Sequence, residues 1–280
     1  MKLGVSLGAG GSRGWAHVGV LRALEEKGIQ IDLINGASIG AVVGGAYALY
    51  RDVELMSALA KKAVSSVNID FLNIFRHSVD GIPFLSRMLV NAICDLSALR
   101  LSLISNKNNS RALKILFGDK EYGETEIPFS SVATDIVERR LVSITEGKLA
   151  DGILPSVAIP GIFPPVERDG KLLVDGGVLA NVPVINLRQM GAEFAIAVRL
   201  VDNKEPKCSN GFETICYIDS LKFREINQKE IDSADYVISI DSTEFDTGKF
   251  SDYGKAIECG YMEARRCLPE LTERIGVFRK

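Results

Sequence analysis

The sequence predicts an α/β fold, a three-layer α/β/α sandwich with a largely parallel central sheet, and three observations predict it. Short apolar runs of strand length alternate with longer stretches of helical periodicity. Glycine clusters stand where two of those runs give way to helices, the position at which α/β folds build their sites. Hydrophobic residues make up 46% of the 280, enough to cover a sheet on both faces.

The apolar strand candidates are, in order, Leu3 to Leu7, Ile31 to Asn35, Phe129 to Asp135, Leu141 to Thr145, Leu172 to Val174, Phe194 to Leu200 and Tyr236 to Ile240. Between the first two, Trp15 to Lys27 has helical spacing, with Glu25 and Glu26 on a polar face and Lys27-Gly28 as a stop. Between Pro83 and Asn106 the apolar positions Leu85, Met88, Leu89, Ile93, Leu96, Leu99 and Leu103 recur at helical spacing. Such a stripe reads either as a helix packed on the core or as a lid that meets lipid. Gly170 and the stretch from Lys204 to Gly211 read as surface connections, and Arg139-Arg140 as solvated surface. No repeat, low-complexity tract or linker divides the chain, so residues 1–280 read as a single domain. Its motifs fall at about 3–200, and 201–280 complete it.

Gly36-Ala37-Ser38-Ile39-Gly40 is the pattern of a nucleophile elbow, in which a strand turns sharply into a helix and exposes the serine hydroxyl at the helix N-terminus. A glycine-rich turn before a buried helix has the same letters. The upstream cluster Gly8-Ala9-Gly10-Gly11-Ser12-Arg13-Gly14 follows the first strand and offers several backbone N–H groups to one anion. Gly8 and Gly10 match the first two glycines of a dinucleotide fingerprint, but Arg13 fills the third position. No acidic residue ends the second strand, and no Gly-Lys-Ser/Thr follows the loop, so a nucleotide is not expected. Gly10 and Gly11 therefore read as oxyanion donors, with Arg13 fixing the loop or adding positive potential.

A serine nucleophile needs a base. The chain has two histidines, His17 and His77, and none follows residue 77, so the Ser-Asp-His order of an α/β-hydrolase is absent. Asp175-Gly176-Gly177 places a carboxylate at a strand end beside flexible backbone. Asp175 taking the Ser38 proton directly is the economical arrangement, provided burial raises its basicity. His17 reads as a polar anchor of the first helix and His77 as surface.

In this combination the chain resembles the bacterial patatin-like phospholipases of the group related to the neuropathy target esterase catalytic domain. The resemblance rests on the loop Gly8 to Gly14 leading into Ala16 to Leu21, the elbow Gly36 to Gly40, the run Ser156 to Pro165, and Asp175 to Gly177 with Asn181-Val182-Pro183. It implies a patatin-like fold, a Ser38–Asp175 dyad and an oxyanion hole in the glycine loop. The implied function is a serine acyl hydrolase of lipid esters, of phospholipase A, lysophospholipase or esterase type, with no metal or organic cofactor. Acyl transfer by the same dyad and a non-catalytic adaptor on the same fold are the alternatives. Ala9 departs from such loops, which often carry glycine there, but keeps its N–H.

Charge and composition narrow the partners. Lys and Arg number 33 against 36 Asp and Glu, a formal charge of −3 without the basic excess that nucleic acid demands. The five cysteines are scattered without metal-ligand spacing, which fits reduced thiols and a cytoplasmic setting. The apolar stretch at the N-terminus is too short and glycine-broken for a secretory leader. Leu33 to Tyr50 carries no charge, but the turn inside it leaves about a dozen helical residues where a bilayer needs ~20. The expected partner is a lipid or lysolipid ester, met at most by transient contact with a membrane surface.

Overall fold

The computed structural model describes residues 1–66, 102, 104–203, 208, 211–245 and 253–279. His77 and the apolar stripe from Leu85 to Leu103 lie outside the described residues. The strands are β1 (Leu3–Leu7), β2 (Leu33–Ala37), β3 (Phe129–Asp135), β4 (Arg140–Ile144), β5 (Val166–Arg168), β6 (Lys171–Asp175), β7 (Phe194–Val201) and β8 (Tyr236–Asp241). The described α-helices are α1 (Ala16–Glu26), α2 (Ile39–Tyr50), α3 (Val53–Ser66), α4 (Lys107–Phe117), α5 (Leu149–Ile153), α6 (Val184–Gln189), α7 (Gly211–Asp232) and α8 (Tyr253–Phe278).

All five residues of β1 are buried, because it lies inside the sheet with a parallel neighbour on each edge, β2 and β7. The sheet runs β5-β6-β3-β2-β1-β7-β8, with β4 also on β3. β8, β7, β1, β2 and β3 form the parallel block, whereas β4, β5 and β6 pair antiparallel. Short turns join the antiparallel pairs β3–β4 and β5–β6, where no helical crossover intervenes. β5 is not apparent in the sequence, since three residues that include Glu167 and Arg168 carry no strand pattern. The Asp169-Gly170 turn, with φ of 50° and 73°, folds it back onto β6. β2 begins two residues later than the apolar run suggests, because its register on β1 pairs Gly4 with Leu33 and Leu7 with Gly36.

Alternation along β7 separates two cores. Phe194, Ile196 and Val198 join the core formed with α1, α2 and α8, whereas Ala195 and Ala197 pack on the other face with Val184 and Leu187 of α6. Helices thus cover both faces. α8 is drawn close to α1 through paired glycines: a Cβ at Gly19 would stand 1.9 Å from Ile257 O, and one at Gly260 2.0 Å from Ala16 O. Leu268, Leu271 and Ile275 of α8 are buried in the same core as Leu3 and Val5.

The edges of β3 position the site. At Ser131 and Val132 this strand pairs with both β2 and β4, and from Ala133 to Asp135 with both β4 and β6. Each rung offers two edges, so β2 and β6 share the edge that β4 does not use. β2 ends at Ala37 opposite Val132, and β6 arrives from the other direction to end at Asp175 opposite Ala133. Ser38 and Asp175 are therefore brought together on adjacent rungs.

Candidate active site

Ser38 lies between β2 and α2 with φ 53° and ψ −125°, a conformation that costs a non-glycine residue of order 1–3 kcal/mol. The strain is sustained by tight packing on both sides. A Cβ at Gly36 would stand 2.3 Å from the Gly40 carbonyl, and one at Gly40 2.2 Å from Leu7 O. The turn starts α2 directly, since Ala41 N and Val42 N donate to Ser38 O. Ser38 N donates to Ser156 Oγ at 2.9 Å, which ties the elbow to the segment after α5.

The Ser38 hydroxyl donates to Asp175 Oδ2 at 2.6 Å, and Gly177 N donates to Oδ1 at 2.7 Å. Asp175 N in turn donates to Ala158 O, so both ends of the residue are held. Burial pushes the Asp175 carboxyl from its ordinary 3.8 up to about 6, against the opposing pull of the Ser38 and Gly177 hydrogen bonds. Gly176 lets the chain pass the β3 backbone, where a Cβ would meet Val132 O at 2.3 Å. Ser38 is 7% exposed and Asp175 6%, so a carboxyl group sits beside a hydroxyl at a place nearly closed to water.

The glycine loop lies at the carboxyl end of β1, beside the elbow. Its first two amides are committed: Gly8 N donates to Val198 O and Ala9 N to Asn181 O. The Gly10 and Gly11 amides have no such partner among the described residues. Arg13 Nε donates to Gly10 O at 3.3 Å and Nη1 to Asp202 at 3.0 Å, so its contacts brace the loop. Gly14 meets the other side of the elbow, since a Cβ there would lie 2.1 Å from Ile39 Cγ2.

His17 is fully buried, and its Nε2 lies 2.8 Å from Gly8 O. A carbonyl only accepts, so Nε2 carries the proton and donates it. Burial lowers the His17 pKa to about 4, which keeps the ring neutral at physiological pH. Its hydrogen bond holds the loop, and that anchoring contact matches the sequence reading. Ser156, Asn181 and Asp202 support the site without having been singled out for that work. The first two lie inside the runs that carried the resemblance, but nothing in their local sequence says what they would touch.

Residues 5–188 match the family model described as "Patatin-like phospholipase". The chain belongs to that family. Among curated relatives of this patatin-like chain, "Lysophospholipase nte1" of Emericella nidulans is 32% identical over 207 residues, covering 73% of the chain and 12% of that protein. An uncharacterised NTE family protein of Mycobacterium tuberculosis is 33% identical over 199 residues, 71% of the chain and 49% of that protein. Human "Patatin-like phospholipase domain-containing protein 6" is 30% identical over 205 residues, 72% of the chain and 14% of that protein. The chain thus spans from about an eighth to half the length of these relatives. Among solved structures, VipD from Legionella pneumophila shares the fold, with a TM-score of 0.52, 15% identity, and coverage of 96% of this chain and 66% of that one.

Proposed function

We propose that this chain is a serine acyl hydrolase of lipid esters that works through a Ser38–Asp175 dyad. One observation carries the reading: at the strained elbow a serine hydroxyl donates at 2.6 Å to a buried carboxylate whose pKa is raised to about 6. Ser38 Oγ attacks the ester carbonyl while Asp175 takes its proton. The tetrahedral oxyanion is held by the Gly10 and Gly11 amides, each such donor being worth about 10²–10³ in rate. Collapse expels the alcohol, to which Asp175 returns the proton. Water, activated by the same carboxylate, then clears the acyl-enzyme. A carboxylate with a pKa near 6 suits both halves, being ionised at pH 7 yet more basic than an exposed aspartate.

Family membership supports a lipid ester as substrate, and the relatives named lysophospholipase put lysolipids first in a substrate panel. No helix among the described residues is long and apolar enough to cross a membrane. The substrate is then met from the side, by peripheral contact with its surface. The setting we infer is cytoplasmic, with the cysteines as reduced thiols.

A fluorophosphonate probe, with mass spectrometry of the labelled peptide, tests the reading. Label on Ser38, lost in Ser38→Ala, with release of free fatty acid from a lysolipid, is the expected result. Appearance of the acyl group on an added alcohol in place of water would make the chain an acyltransferase. No label and no ester cleavage by a folded protein would leave a scaffold.

A further inference from the structure

Asp135-Ile136-Val137-Glu138-Arg139-Arg140 joins β3 to β4, and it sets two β-branched apolar residues in a turn where Gly, Asn, Asp and Ser are usual. Ile136 is 45% exposed and Val137 64%. They are held there by specific bonds. The buried Asp135 Oδ1 accepts from Val137 N at 3.0 Å and Glu138 N at 3.2 Å, and Ile136 N donates to Leu172 O. Arg139 closes the turn at φ 54°.

Single apolar residues on a surface are ordinary. The location of this pair is not. β3 runs three residues past the rung at which β2 stops, so the turn that starts at Ile136 stands ~10 Å along the strand from Ala133 and Asp175 at ~3.3 Å per residue, beyond the end of β2 from which the Ser38 elbow starts. Two further exposed apolar residues stand by the site itself. Ile159 follows Ala158, whose carbonyl holds Asp175 N, and Val178 follows Gly177, whose amide holds Asp175 Oδ1. Beside the tip stand the exposed Arg139 and Arg140, and although Asp135 and Glu138 balance their charge along the segment, Asp135 is buried and the two guanidinium groups are on the surface.

We propose that the β3–β4 turn seats this protein on an anionic lipid surface. Ile136 and Val137 enter the boundary between headgroups and acyl chains, Arg139 and Arg140 meet anionic headgroups, and Ile159 and Val178 bring the surface beside Asp175 against the interface. The proposal rests on the lipid-ester reading for its substrate but not for its readout, which is binding.

The test is flotation with phosphatidylcholine vesicles, with and without phosphatidylglycerol, alongside hydrolysis of a monomeric short-chain nitrophenyl ester. Ile136→Asp with Val137→Asp should lower vesicle partitioning by about tenfold or more, the factor a single buried aliphatic side chain supplies, and leave monomeric ester turnover unchanged. Arg139→Glu with Arg140→Glu should weaken binding to the phosphatidylglycerol vesicles alone, and salt should erase that difference. Should the aspartate pair fail to fold by circular dichroism, Ile136→Ser with Val137→Ser makes the same comparison. Flotation equal in wild type and apolar variants, absent in both, or lost together with monomeric ester turnover overturns the proposal. So does loss of self-association in light scattering without loss of flotation, which would give the turn to a second copy. Turn-dependent flotation by a chain that cleaves no ester would uphold the docking surface and defeat the hydrolase.

Discussion

Replacing Asp175 by asparagine removes a proton acceptor and a buried charge in one step, and the two losses have opposite signs. The carboxyl titrates at about 6 in the fold against an ordinary 3.8, so its ionised form costs the folded state ~3 kcal/mol. Between those two values the folded chain holds a proton that the unfolded chain has released. Raising the pH through that window therefore removes stability, fully so above about 6 and not at all below 3.8. Asparagine has no such window. It keeps an acceptor for Gly177 N and turns its amide toward Ser38 Oγ, so the packing survives. Asp175→Asn should thus gain on wild type by ~3 kcal/mol between about pH 4 and pH 7, some 6–12 °C in melting temperature at ~2–4 °C per kcal/mol. Over the same change the chemical step should fall by ~10²–10⁴, the usual worth of a general base. Melting curves at both pH values and initial rates on a soluble nitrophenyl ester measure the two effects. A melting difference that does not change with pH refutes the buried-charge argument, and activity within about tenfold of wild type refutes the base.

Two further outcomes follow from the same geometry. His17→Gln with His77→Asn should retain activity within about tenfold of wild type and keep its acid limb near pH 6, because that limb belongs to Asp175 although it lies close to the ordinary histidine value. A folded double variant as inactive as Ser38→Ala would return the base to His17. Gly40→Ala drives a methyl to 2.2 Å from Leu7 O, backbone that cannot swing aside, and should cost ~1–3 kcal/mol or more in chemical denaturation, with Ser38 displaced and activity lower still. Gly276→Ala, in open space on α8, is the control and should stabilise by ~0.5–1 kcal/mol.

Much of the site was legible because its parts are local. An elbow and a glycine loop are chain segments a few residues long whose backbone needs appear directly as glycine and serine, so Ser38, Gly36, Gly40 and the loop from Gly8 to Gly14 could be named from spacing. The Asp-Gly pair at 169–170 was an equally local hairpin signal. In the sequence Gly170 reads as a plain surface connection because β5, the strand it returns, is too short and too charged to announce itself. Arg139 and Arg140 read as solvated charge, and both are exposed, while the exposure of Ile136 and Val137 beside them is visible only in the fold.

What the sequence determined by itself was the chemistry available: one elbow serine, no histidine in the position a hydrolase triad requires, and one carboxylate before two glycines at a strand end. What only the tertiary structure decided was proximity and environment. Ser38 and Asp175 are 137 residues apart and meet because β2 and β6 share one edge of β3 and end on adjacent rungs, a matter of strand order and register that no local pattern encodes. The raised pKa of Asp175 and the lowered pKa of His17 belong to the same level. Both arise from loss of water around a titratable group, and only the folded chain excludes that water.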